Sequence, residues 1–171
     1  MPTNDTTRAD VVDVRGPRFA AWVTTAVLVA VLVVSGFSPL AAAVVLGLQA
    51  VVFAIGTLAG PRRHPYGLIF AHLVRPRITP ATQWEPTAPL KFAQLVGWAF
   101  AVTGVAGFLS APLVGVVATA FALAAAFLNA AFGICLGCQL YPLTVRLRHV
   151  LRPSGTPDTP SDRVTAATAS K

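Results

Sequence analysis

The chain has 171 residues, 55% of them hydrophobic and only 11% charged, with a mean hydropathy of +0.69; this excludes an ordinary water-soluble domain. The formal charge of +7 suggests nucleic acid at first, but the basic residues fall in three segments parted by long uncharged stretches, so no nucleic-acid surface is expected. Residues 19–61 and 92–145 contain no Asp, Glu, Lys or Arg, and each stretch is about twice the ~20 residues a helix needs to cross ~30 Å of hydrocarbon.

Residues 1–12 read as a polar, disordered tail, and a single membrane domain covers 13–152. Asp13-Val14-Arg15-Gly16-Pro17-Arg18 leads into a first span at about 19–35, where Trp22 is suited to a headgroup anchor. Ser35-Gly36-Phe37-Ser38-Pro39 turns the chain into a second span, about 39–58, which stops at Gly60-Pro61. The central loop, 59–91, is Pro-rich. Its apolar stretch Tyr66 to Val74 is too short to span and is expected to lie as an interfacial helix on the cytoplasmic face. Spans three and four, about 92–109 and 113–136, are separated by Ser110-Ala111-Pro112. Gln139 to Leu151, carrying Arg146, Arg148 and His149, reads as an amphipathic extension, and 153–171 as a disordered Ser/Thr/Pro/Asp-rich tail. The expected fold is an all-α membrane protein: four transmembrane helices as two hairpins in a compact bundle.

Arg8, Arg15 and Arg18 precede the first span; Arg62, Arg63, Arg75, Arg77 and Lys91 lie in the central loop; Arg146, Arg148, Arg152, Arg163 and Lys171 follow the fourth. Both hairpin tips are uncharged. The positive-inside rule therefore assigns both termini and the central loop to the cytoplasm, and anionic lipid headgroups are the expected neighbours of these cations. The first apolar run leads straight into a second span, unlike a cleaved signal peptide. Arg outnumbering Lys, with abundant Ala and Val, points to a GC-rich bacterial genome and hence to a bacterial cytoplasmic membrane.

Small residues recur at helical spacing: Ala43, Gly47, Ala50 and Ala54 in span two; Gly97, Ala101, Gly104 and Gly107 in span three; Gly115, Ala118, Ala122, Ala126, Asn129, Gly133 and Gly137 in one stripe of span four. Such stripes permit close helix contact in lipid. Gln49-Ala50 and Asn129-Ala130 stand at similar depths in spans two and four, which fits either a parallel repeat of the two halves or coincidence.

The chemistry-bearing pair is Cys135 and Cys138, the two cysteines of the chain. At i and i+3 on a helix they share a side, about 5 to 5.5 Å apart, a separation compatible with a disulfide and with a thioredoxin-type motif. At the C-terminal end of span four, the helix dipole and apolar burial both raise the thiol pKa. If the span breaks at Gly133 or Gly137 and a new helix starts near Cys138, the sign reverses. The bland alternative is a pair of buried, inert cysteines. Zinc needs four ligands, and only His64, His72 and His149 could supplement the pair, so neither a metal nor a cofactor is expected. Asn129 and Gln49 read as an interhelical hydrogen bond in preference to the lining of a quinone or substrate cavity. The absence of ionisable residues inside the spans argues against an ion-coupled transporter. Arg15, Arg18, Arg62, Arg63, His64, Arg75 and Arg77 form a cationic rim near the cysteines, serving lipid anchoring or docking of an acidic protein or anionic sulfur species.

Several separated motifs then agree in order: Asp13-Val14-Arg15-Gly16-Pro17-Arg18-Phe19, Gly60-Pro61-Arg62-Arg63-His64-Pro65-Tyr66-Gly67, Arg75-Pro76, Lys91-Phe92-Ala93-Gln94, and Phe127-Leu128-Asn129-Ala130 through Cys135-Leu136-Gly137-Cys138. Over about Asp13 to Leu143 the chain resembles the DUF4395 family of small bacterial membrane proteins, a domain of unknown function. The resemblance brings no established activity. It implies a link to thioredoxin-like and rhodanese-like soluble proteins, in keeping with thiol or sulfane-sulfur chemistry. The expected role is a membrane thiol-redox or sulfur-handling component using a cytoplasm-facing Cys135/Cys138 pair. The alternatives are a non-enzymatic scaffold that anchors a soluble partner, or a permease for a small sulfur compound. Whether the protein is an enzyme stays open at this level.

Overall fold

The structure, a computed structural model, describes residues 11–78, 83–135, 138–142 and 146–147. The tails expected at 1–12 and 153–171 fall outside them, save for Val11 and Val12, as does most of the amphipathic extension at 139–151. The chain divides into two units, Met1–Tyr141 and Pro142–Lys171, and the first holds the bundle.

In chain order the elements are β1 (Val11–Asp13), α1 (Arg15–Ser35), α2 (Pro39–Ala59), α3 (Pro65–Ile69), β2 (Trp84–Pro86), α4 (Thr87–Ser110) and α5 (Pro112–Phe132). Four of these helices, α1, α2, α4 and α5, are long and apolar enough to cross a membrane. Their limits follow from local chemistry. Asp13 Oδ1 accepts the backbone N–H of Arg15 at 3.0 Å, meeting one of the open donors at the start of α1. Ser38 caps α2 by accepting from Ala41 N–H at 3.2 Å, with Pro39 in the first turn. Pro112 likewise stands in the first turn of α5, which has no side-chain cap. The α2 helix stops at Gly60, whose φ of +81° suits glycine.

Packing runs in a ring: α1 on α2, α2 most extensively on α4, α4 on α5, and α5 back on α1. The centre is built from Leu28, Val31, Leu46, Phe53, Ala101, Phe108 and Ala122, all buried. Inside lipid no hydrophobic drive joins helices, so close backbone approach must supply the attraction. Gly107 and Gly115 meet backbone to backbone, while Gly104 faces Leu46 and Thr119, an antiparallel register between α4 and α5. A Cβ on Gly97 would stand 3.1 Å from the Phe53 ring. Gly47 differs from the rest of its stripe: nothing lies within 4 Å of where its Cβ would be, so its smallness serves no contact. The outer faces carry exposed Val33, Phe37, Leu40, Leu48 and Leu113, a surface composed for hydrocarbon.

Two features position the site. Val11 and Val12, assigned by sequence to the tail, form β1, which pairs antiparallel with β2 in the register Val11↔Pro86 and Asp13↔Trp84. The stretch Tyr66 to Val74 is helical but bent: α3 passes into a wider π-helical turn over Phe70–Val74, then a tighter turn over Arg75–Arg77. Phe70 is buried, its ring 5.8 Å from that of Phe19. The Tyr66 hydroxyl donates to Gln49 Oε1 at 2.8 Å, a residue halfway along α2. This segment therefore reaches inward against α1 and α2.

Candidate functional site

The sequence left open whether the fourth long helix continues through the cysteines. It ends at Phe132, earlier than the expected 136, because Gly133 adopts a left-handed φ of +70°. Gly133 N–H donates to the Asn129 carbonyl at 3.0 Å, the αL closure of a helix C-terminus, and Ile134 N–H donates to the Leu128 carbonyl at 3.3 Å. A new helical stretch then occupies 138–142. Cys135 stands before it as a cap residue would: its carbonyl accepts from Gln139 N–H at 3.0 Å, and its sulfur accepts from Cys138 N–H at 3.3 Å. Cys135 and Cys138 are joined by a disulfide, with their Cα atoms 5.1 Å apart. The Cys138 N–H thus points at the Cys135 sulfur.

Cys135 also forms part of the wall of a cavity of about 1160 Å³ within the bundle. Most of that wall is apolar, including Ala21, Phe53, Gly97, Phe100, Phe121 and Ala126. Its polar members are Asp13, Thr24, Arg62, His64, Arg75, Gln94, Asn129 and Cys135.

His64 is the most buried titratable group on this wall, 2% exposed, and neither ring nitrogen has a hydrogen-bond partner. The chain places it there by local geometry. Pro65 after it favours the extended backbone observed at His64, and its neighbour Tyr66 sets a ring 5.2 Å away. Gly56 leaves room for both the imidazole and the Gln94 amide, since a Cβ there would lie 2.7 Å from one and 2.9 Å from the other. Burial lowers the His64 pKa to about 4; the adjacent Gln94 amide, which completes no well-formed hydrogen bond to the ring, opposes this in smaller measure. The imidazole is neutral at physiological pH and carries one donor and one acceptor. Gln94 Oε1 is likewise buried without a partner. Burial also raises the Tyr66 pKa.

The expected cationic rim is partly assembled. Arg62 and Arg75 line the cavity, and Arg62 donates to the Val11 carbonyl at 3.1 Å. The Arg18 guanidinium lies against Gly133, two residues before Cys135. Arg15 and Arg63 are not on the cavity wall, and Arg77 turns back to the Leu73 carbonyl. No hydrogen bond joins Gln49 to Asn129 among the described residues: Gln49 is held by Tyr66, and Asn129 faces the cavity. Among the described residues no group of three or more His, Cys, Asp or Glu gathers where a metal could bind.

Gln94 is a candidate functional residue that motif reading alone misses; its sequence signal is that of a lone amide near the start of a charge-free span, as Asn129 is near the end of another.

Four long apolar helices packed in a ring define a multi-pass membrane protein. Residues 12–146 match the family described as Domain of unknown function (DUF4395), and the chain belongs to it. No curated protein and no solved structure matches the chain.

Proposed function

We propose that this protein is a thiol-redox or sulfur-handling component of the bacterial cytoplasmic membrane, with both termini and the Cys135/Cys138 pair on the cytoplasmic side. The observation that carries the reading is the double position of Cys135. It is bonded to Cys138 and also borders a large cavity, an access that a pair serving only to pack does not need. Cys138 does not border the cavity, and its backbone N–H supports the sulfur of Cys135. Cys135 is therefore the attacking sulfur and Cys138 the resolving one.

In the reduced protein the Cys135 thiolate attacks a partner disulfide. A mixed disulfide forms and the partner's second sulfur leaves as thiolate. Cys138 then attacks Cys135, restoring the intramolecular disulfide and releasing the partner as a dithiol; the reverse sequence oxidises the partner. The cationic residues Arg62, Arg63, Arg75 and Arg77 favour a soluble thioredoxin-like or rhodanese-like partner with an acidic face. In the sulfur-handling version the Cys135 thiolate attacks the outer sulfur of a partner persulfide, which leaves the persulfide on Cys135 and releases the partner thiolate.

Trapping tests this directly. A Cys138→Ser variant should accumulate a mixed disulfide through Cys135 with a soluble dithiol protein, and the wild-type pair should titrate at a definite reduction potential. If replacing both cysteines with Ala leaves the protein's cellular role intact, the pair only packs and the protein is a scaffold.

A further inference from the structure

Resting on that thiol reading, we propose that the bundle cavity binds a lipid-soluble quinone, which takes the two electrons released when Cys135 and Cys138 close their disulfide. Three observations converge on it. The first is chemical polarity: the wall is mainly apolar, yet two of its residues, His64 and Gln94, hold buried polar atoms without a partner. Buried polar groups left unpaired are costly, and a ligand with hydrogen-bonding oxygens relieves that cost. The second is access. A groove between α4 and α5 on the outer face shares Val96, Phe100 and Phe121 with the cavity, so the Phe100–Phe121 ring pair is the wall common to both spaces. That groove is almost wholly apolar, with Leu113, Val114 and Val117 on its other walls. In the proposal a ligand dissolved in hydrocarbon enters from this groove by displacing those two rings. The third is that Cys135 stands on the same wall.

The size agrees. About 1160 Å³ lies just above the ~300–1,000 Å³ of sites for drug-sized ligands, enough for a quinone ring and the first units of its tail. The reaction balances without any other reagent. Two thiols lose two protons and two electrons as the S–S bond forms, and the quinone gains both at its carbonyl oxygens to become the quinol. Neutral His64 donates to one quinone oxygen, and Gln94 Oε1 accepts from that oxygen once it is a hydroxyl.

The full-length chain in phosphatidylcholine nanodiscs, titrated with ubiquinone-1, provides the test, with quenching of tryptophan emission as readout because Trp84 lines the cavity. Saturable quenching at one site per chain is expected, weakened about tenfold or more by His64→Ala and, as an independent variant, by Gln94→Leu. Pre-reduced wild-type protein should form one quinol per disulfide regained. Quenching that only rises with quinone dissolved in the bilayer, or that saturates equally in both variants, overturns the quinone site. If disulfide exchange with a soluble dithiol persists in that case, the thiol reading stands alone. Saturable binding with neither quinol formation nor exchange overturns the thiol reading and the electron step with it.

Discussion

The Arg18 guanidinium occupies the space that a side chain on Gly133 would fill. This contact joins the start of α1 to the end of α5 and sets a cation against the carbonyl end of that helix, where its dipole welcomes one. It also brings positive charge within two residues of Cys135.

Gly133→Ala should therefore act twice. Its φ of +70° costs a non-glycine residue about 1–2 kcal/mol, and the new methyl displaces Arg18. Thermal unfolding in detergent should show a lower midpoint, and iodoacetamide should modify reduced Cys135 several-fold more slowly than in the wild type. Arg18→Gln should reproduce the slower modification with less loss of stability.

The Tyr66–Gln49 hydrogen bond ties α3 to the middle of α2, and Gln49 is 2% exposed with its Nε2 already unpartnered. Tyr66→Phe leaves the amide oxygen unpaired as well, at a cost of about 1–3 kcal/mol. Adding Gln49→Leu to that variant removes the stranded amide and should recover most of the loss. A double-mutant cycle on unfolding free energies measures the coupling.

Buried His64 makes stability depend on pH. Its folded pKa of about 4 lies below the ordinary 6.5, so between these values the unfolded chain binds a proton that the folded chain refuses. The stabilisation is complete above pH 6.5 and is lost as pH falls toward 4, by about 3 kcal/mol at ~1.4 kcal/mol per unit. Unfolding midpoints recorded across this window should fall with acidification in the wild type and run flatter in His64→Ala.

Two glycines provide an internal comparison of helix packing. At Gly107 an added Cβ would run into the backbone of Gly115, whereas at Gly47 it meets nothing within 4 Å. Gly107→Ala should destabilise by about 1–3 kcal/mol through overpacking. Gly47→Ala should be neutral or stabilising by up to about 1 kcal/mol, since alanine favours helix. Equal effects in matched detergent melts would contradict the close contact of α4 with α5.

The helices were legible because charge is costly in hydrocarbon: the uncharged stretches 19–61 and 92–145 contain the bodies of all four long ones. The break before the cysteines was legible as one of two options, since Gly133 alone does not say whether it faces a neighbour or caps a helix. The remainder depends on contacts between distant segments. Nothing in Val11-Val12-Asp13 announces pairing with Trp84-Glu85-Pro86, as neither run has the length or alternation of a strand. The inward reach of Tyr66 and Phe70 hides in a stretch whose composition equally suits a surface helix. The cavity follows from that reach, from Gly97, whose place in the stripe of span three reads as helix contact and not as space, and from Gly56, which stands outside the stripe of span two.

The most direct measurement is the rate of alkylation of each cysteine in the paired single-sulfur variants, Cys138→Ser and Cys135→Ser, reconstituted in bilayers at neutral pH. Cys135 alone should react at least about tenfold faster than Cys138 alone, the difference expected of a sulfur favoured as thiolate, and from the cytoplasmic side. Two equally inert sulfurs, or a faster Cys138, would contradict the assignment of Cys135 as the attacking group.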